Sequence, residues 1–473
     1  IMIPARKDSQ GRSIEGAFVQ EPKPGEYKWV MAFDATSLYP SIIMQYNMSP
    51  ETLVKGMVDV NVEGMLERKY NLDGDYAIAA NGARFTRDKQ GLFPEIVSKF
   101  FDDRQKYKKL MIQAQNKYEE TKDPKYQKDI AKYNNFQMAR KIQLNSLYGA
   151  MGNQYFRYYD DRIAEGITMT GQFVIRESAK ALDDFLNNIC GTEDKMYSFY
   201  SDTDSCYITM DGVVQKFLKN KNKSSIITAL DKIGSDQIEP TIAKAMDSIA
   251  DYTNAFAQKM DFKREVIADK GIWVAKKRYA LNVYDNEGVR YAEPKLKVMG
   301  LEVVRSSTPA LVRDSLREAV KLCLTSEEGV LQDFVENTWR DFQEMTPEQI
   351  AFPRGCNNLE KYSDAASIYS KGTPMQVRGA LMYNHVLKRD KLTMKHERIQ
   401  DGEKIKFLYL KEPNHLGENC IAFNAKLPQE FDLHRYVDYE LMFQKAFIDP
   451  MNTIATAINW NPRPVASLED LFT

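Results

Sequence analysis

Residues 198–211, SFYSDTDSCYITMD, set two carboxylates, Asp202 and Asp204, two positions apart inside an apolar, aromatic and β-branched run. A strand turns its side chains to alternate faces, so residues two apart share a face, and two carboxylates held that close repel unless something positive lies between them. Two readings follow from the residues alone. The pair is a set of metal ligands on a strand, or it is a solvated turn, since Ser-Asp-Thr-Asp is also good turn chemistry. A motif this short does not decide between them.

The 473 residues, 43% of them hydrophobic, suffice for two or three domains with substantial cores. No run approaches the roughly 18 consecutive apolar residues of a membrane span, and the first residues do not read as a secretory signal. A cytoplasmic location is therefore expected. The five scattered cysteines form no Cys-x-x-Cys pair and the four histidines stand singly, which argues against a zinc site or a disulfide framework. A formal net charge of −1 is no mark of a nucleic-acid binder, but twelve Lys/Arg face six Asp/Glu between Lys99 and Lys141. Such a run is a solvated helical face or, locally, a holder of phosphates.

Upstream, YKWVMAF reads as a strand that stops at Asp34, and in DATSLYPSII Pro40 opens a helix at its first turn. Helical patterns over about 93–122 and 126–148, separated by Pro124 and closed by Gly149, predict an αα-hairpin. A further helix over about 161–188, ending near Gly191, leads to a strand carrying Asp202 and Asp204. Strands are predicted around REVIA, IWVAKKRYALNVYD and RYAEPKLKVMG, with DNEG as a hairpin turn between the last two. Beyond Thr308 the pattern is mostly helical, with an irregular part from Gly355 to Gly379, and the last residues are a Pro-containing linker and the short hydrophobic tail SLEDLFT.

Asp34 thus ends one strand, the Asp202–Asp204 pair sits on another, and a basic helical hairpin lies between them. On that hairpin Arg104 and Lys108 are spaced i, i+4 and share a face, and Lys141, Asn145 and Tyr148 share another.

This order of motifs resembles family B DNA polymerases. DATSLYPSII is similar to their motif A, RKIQLNSLYGAMGN to motif B, YSDTDS to motif C and AKKRYALNVYD to their Lys-Lys-Arg-Tyr motif, with wording nearest the replicative enzymes of T-even-type phages. The resemblance implies an α+β, right-hand architecture: a palm of mainly antiparallel sheet over 1–91 and 154–305, helical-hairpin fingers over 92–153, and a mostly helical thumb over 306–473. It implies DNA-templated DNA synthesis in phage replication inside an infected bacterial cell, with two Mg²⁺ ions about 3.5–4 Å apart as cofactors. Asp34, Asp204 and the carbonyl of Ala35 would hold the metals, with Asp202 close by. The amides of Ser37, Leu38 and Tyr39 and the side chains of Arg104, Lys108 and Lys141 would hold the triphosphate, Lys141 also protonating the leaving pyrophosphate. Tyr39 would exclude a 2′-hydroxyl, and Asn145 and Tyr148 would pack on the nascent base pair. Gly16, Ala17, Lys276, Lys277, Arg278 and Tyr279 would follow primer–template DNA, with Asp285 in indirect support. A sliding clamp is the expected partner of the tail at about 466–473, through Leu468, Leu471 and Phe472.

Departures from the family pattern are Ser201 in place of a glycine, Ala35 in place of a larger apolar residue, and a shortened segment between Arg104 and Lys141. No candidate 3′–5′ exonuclease site precedes the palm, so a separate exonuclease polypeptide is a further expected partner. The rival reading is a non-catalytic remnant that binds primer–template without extending it.

Overall fold

The computed structural model describes residues 13–464, which form two compact units. The first comprises residues 13–23, Tyr27–Gly271 and Asn282–Lys295; the second comprises Pro24–Glu26, Ile272–Leu281 and residues 296–464.

Most of the first unit's frame comes from a six-stranded sheet: β1 (Gly25–Ala35), β2 (Ser198–Asp202), β3 (Ser205–Thr209), β4 (Phe262–Ala275), β5 (Arg278–Asn286) and β6 (Val289–Met299), in the spatial order β2-β3-β1-β4-β5-β6, with the start of β1, the end of β4, the start of β5 and the end of β6 belonging to the second unit. Strand β3 runs antiparallel to both of its neighbours, pairing Ser205 with Asp34 on one side and with Asp202 on the other. Val30, Met31, Ala32 and Phe33 are fully buried, the signature of a central strand covered on both faces. The run ends where Asp34 and Ala35 meet the polar Thr36 and Ser37, and the chain turns into a short buried helix, α1 (Leu38–Gln45).

The predicted helical hairpin is present as α2 (Leu92–Thr121) and α3 (Lys125–Met151). Lys122, at φ 54°, and Pro124 stop the first helix and aim the second back along it. Arg140 on α3 reaches Asp103 on α2 at 3.1 Å, and the rings of Tyr107 and Phe136 meet at 5.0 Å between centroids. Helix α4 (Asp161–Cys190) begins at Asp160, whose side chain accepts the Arg162 amide, and ends at left-handed Gly191. With α5 (Lys223–Ile233) and α6 (Glu239–Tyr252) it closes a core containing Phe33, Ile42, Ile167, Phe173, Leu230 and Met246.

Three predictions need correction. Asp202 and Asp204 do not lie on one strand: β2 ends at Asp202, Thr203 and Asp204 form the turn, and β3 starts at Ser205. Thr203, at φ 61°, supplies the left-handed step that a two-residue hairpin needs. The segment IWVAKKRYALNVYD is likewise two strands, because Lys276 and Lys277 make a turn with Lys277 at φ 60°. REVIA and IWVA are both part of the single strand β4.

The second unit has its own core, centred on Leu316, Val320, Leu331, Val386, Leu408, Phe423, Phe443 and Phe447. It contains helices Ala310–Thr325, Glu328–Gln343 and Met375–Arg389, in keeping with a mostly helical pattern although the last begins within the stretch expected to be irregular, but also an antiparallel sheet of Phe352–Gly355, Lys404–Tyr409 and Cys420–Phe423 that the helical reading overlooked. Helix Met375–Arg389 sits on this sheet through Gly379, where an added Cβ would lie 2.8 Å from the Ala422 amide nitrogen.

Candidate active site

Backbone pairing fixes the two central carboxylates before any side chain is considered. Asp34 is the next-to-last residue of β1, Asp204 is in the β2–β3 turn, and the Ala35 amide donates to the Asp204 carbonyl oxygen at 2.7 Å. The Asp204 amide donates to the Asp202 carbonyl at 2.6 Å, which tightens the turn. The Asp202 carboxylate accepts hydroxyl hydrogen bonds from Tyr200 and Thr203, each at 3.1 Å, so its hairpin neighbours hold it.

Residues 15–20 lie alongside this hairpin. Thr203 donates its amide to the Phe18 carbonyl at 3.0 Å, Gln20 donates to the Ser201 carbonyl at 2.9 Å, and Val19 bridges Asp202. The Gly16 carbonyl accepts from Gln172 on α4 at 2.7 Å, which anchors the loop of Gly16 and Ala17.

Burial pushes the Asp34 carboxyl up to about 8, with the charges of Asp204 and Glu265 adding to the shift and Lys108 opposing it. Burial also raises Asp204, with Asp202 and Glu265 reinforcing the shift and Lys141 opposing it. Acidic groups crowded in low dielectric favour a cation between them. Among the described residues no three His, Cys, Asp or Glu side chains form a cluster able to hold a metal ion. Asp34, Asp204 and nearby backbone oxygen nevertheless fit Mg²⁺, which takes one or two carboxylates and completes its shell with phosphate oxygen and water.

A cavity of about 490 Å³ opens beside Asp34, lined among others by Ser37, Arg104, Lys108, Glu265 and Glu287. Arg104 donates to the Ser37 hydroxyl, and Lys108 pairs with Glu287 at 2.6 Å. Burial lowers the Arg104 pKa, while Glu287, Asp34 and Asp204 act to hold its charge. Ser37, at φ 55°, is the N-cap of α1, so the amides of Leu38 and Tyr39 open that helix as donors with no partner within it.

The Tyr39 ring packs on Tyr148 of α3 at 4.5 Å between centroids, and Gly171 of α4 backs it closely enough that an added Cβ would stand 3.2 Å from Cε1. Lys141 and Asn145 are exposed on α3.

Sequence reasoning passed over Glu265 and Glu287. Glu265 lies on β4, the strand beside β1, and its charge reaches both Asp34 and Asp204; the Glu287 amide donates to the Glu265 carbonyl at 2.6 Å. The available signal was an acidic residue in the strand REVIA and another in DNEG, without the register that brings them to Asp34. Asp285 proves to be buried, held by Arg264 and by Arg290 Nε at 2.9 Å.

Lys276, Lys277, Arg278 and Tyr279 belong to the second unit. There Arg278 makes a forked contact with Glu302 at 3.0 and 3.1 Å, and Tyr279 is buried, stacked on Trp273 at 4.9 Å. Gly300 is required beside their turn, since a Cβ there would fall 2.0 Å from the Lys277 carbonyl oxygen. Leu468, Leu471 and Phe472 lie outside the described residues.

Residues 1–224 match the profile of DNA polymerase family B, a stretch that holds Asp34, the helical hairpin and Asp204. Over those residues the chain is similar to the family B DNA polymerases. Its whole length aligns at 34% identity with 58% of the DNA-directed DNA polymerase of Escherichia phage RB69, and at 33% with 58% of that of Enterobacteria phage T4. A relative at greater distance, the DNA polymerase of Thermococcus gorgonarius, is 26% identical over 91% of this chain and 46% of its own. The chain therefore spans a little over half the length of the phage relatives. Among the described residues no helix is long and apolar enough to cross a membrane.

Proposed function

We propose that this chain is the polymerase part of a DNA-templated DNA polymerase that extends a primer 3′ end with deoxynucleotides during phage replication. The observation that carries the reading is the convergence of Asp34 and Asp204, with the cations Arg104 and Lys108 around a cavity next to Asp34. In this reading the palm spans 1–91 and 154–305, the fingers 92–153 and the thumb 306–473.

Asp34, Asp204 and the Ala35 carbonyl would hold two Mg²⁺ ions, which when bound neutralise charge on the attacking and leaving oxygens of the transferred phosphoryl group. Arg104 presents a fork to the phosphates, Lys108 and Lys141 act as point charges, and the amides at the start of α1 add dipoles of matching sign. Lys141, exposed on α3 with its charge acting on Asp204, would deliver a proton to the leaving pyrophosphate. The Tyr39 ring, braced by Tyr148 and Gly171, fills the space a ribose 2′-hydroxyl would need, and Asn145 with Tyr148 bears on the new base pair. Asp202 tunes the charge on Asp204 from the other end of the turn. Primer–template DNA would run over the loop at Gly16 and Ala17 and past Lys276, Lys277, Arg278 and Tyr279. A sliding clamp would take the C-terminal tail.

A binding remnant without catalysis has no use for two half-buried, mutually repelling carboxylates, because they oppose phosphate binding unless cations are bound with it. The test is primer extension by the purified chain with a primed template, four deoxynucleotides and Mg²⁺. Templated extension supports the reading. Tight primer–template binding with no extension would establish the remnant instead.

A further inference from the structure

Glu287 stands where a carboxylate is costly and conspicuous. It is the first residue of the Glu287–Gly288 turn between β5 and β6, both at positive φ, 52° and 81°, a geometry that asparagine and glycine adopt with less strain than glutamate. Its carboxylate pairs with Lys108 Nζ at 2.6 Å, with both side chains little more than a quarter exposed, and its charge also reaches Arg104 and Asp34. Arg104 keeps a buried Nε–H without a hydrogen-bond partner, and both cations line the cavity beside Asp34.

We propose that Glu287 is an intramolecular stand-in for the incoming triphosphate, holding Lys108 in the nucleotide-free protein and giving it up when a polyphosphate enters. This rests on the reading of Arg104 and Lys108 as the triphosphate grip. A neutral cavity wall in place of Glu287 would leave Lys108 free for any polyanion. With Glu287 present, an entering anion must displace a part-buried ion pair and overcome a like charge next to Asp34. The carboxylate thereby lowers affinity for a bare polyphosphate and sets a threshold that a cation-bound triphosphate, carrying less net charge, crosses more easily. Glu287 is in these terms a positioning and specificity residue, acting through Lys108.

The experiment measures binding of inorganic tripolyphosphate to the full chain by titration calorimetry, in EDTA and without DNA. E287Q is expected to bind about three- to tenfold tighter than wild type, the scale of removing one part-buried competing charge. K108M is expected to bind weaker, and E287Q added to K108M is expected to change nothing further. E287D, which keeps the charge, is expected to stay within about twofold of wild type, and thermal melting checks that each variant is folded. Unchanged or weaker binding by E287Q, an equal gain in the K108M background, or a gain in E287D as large as in E287Q would overturn the proposal. EDTA removes any contribution of Glu287 to a metal. Because the readout is anion binding, a chain that behaves as expected here but extends no primer would refute the polymerase reading alone.

Discussion

The amide of Ala35 and the carbonyl of Asp204 are joined by a hydrogen bond of 2.7 Å, so the end of strand β1 and the β2–β3 turn form one unit. This bond sets Asp34 and Asp204 side by side through the backbone, and the charge of Asp204 acts on the Asp34 carboxyl. Strand β4 then adds Glu265 from the other side of β1.

That crowding makes folding stability depend on pH. The Asp34 carboxyl titrates at about 8 in the metal-free fold, against about 3.9 in an unfolded chain. Between those values the folded state keeps a proton that the unfolded chain has released, so stability falls as pH rises through the window. Urea unfolding in EDTA should give a midpoint that drops from pH 5 to pH 8. Asp34→Asn should flatten the slope, and Mg²⁺ should do the same for the wild type. Equal slopes in wild type and variant would contradict this account of Asp34.

Sugar selection should depend on Tyr39 and on what stands behind it. Tyr39→Ala should raise ribonucleotide incorporation by about 100-fold or more, as expected when a steric block leaves a shaped pocket. Gly171→Ala would set a methyl carbon 3.2 Å from Tyr39 Cε1 and 3.5 Å from Leu38 Cδ2, so the ring must give way by a few tenths of an ångström. Its discrimination should therefore shift although residue 171 never meets the nucleotide. Single-nucleotide incorporation with paired ribo- and deoxynucleotides checks both variants, and unchanged discrimination in Tyr39→Ala would remove the steric role.

Asp285 and Arg264 form a buried pair, with side chains 1% and 7% exposed, extended by Arg290 and Asp231. Removing one partner leaves an uncompensated buried charge, so Asp285→Asn should cost about 3 kcal/mol of stability. Denaturant unfolding measures this. Unchanged stability in Asp285→Asn would contradict the buried-pair account.

Much of this site was legible in the sequence where local chemistry decides the structure. The apolar run before Asp34 reads as a strand because nothing within it breaks the pattern, and Pro124 marks the hairpin whose first helix carries Arg104 and Lys108. The Ser-Asp-Thr-Asp stretch was not decidable, because a strand and a turn both accommodate it; Thr203 settles the matter by taking a left-handed φ, while Asp204 still reaches Asp34. Glu265 and Glu287 could not be found from spacing at all, since their place depends on β4 lying next to β1 and on the Glu287 amide meeting the Glu265 carbonyl. The short strands of the second unit were hidden for a related reason: four to six residues carry too little periodicity to stand out among long helices.

The central claim is that Asp34 and Asp204 together carry metal-dependent nucleotidyl transfer. Its most direct test is single-turnover primer extension in Mg²⁺ by the wild type, Asp34→Asn and Asp204→Asn, with primer–template affinity measured on the same preparations. The account predicts that each variant loses extension by about 1,000-fold or more, the scale of losing electrostatic stabilisation of the transition state, while DNA affinity stays within a few-fold. Extension at near wild-type rate by either variant would contradict it.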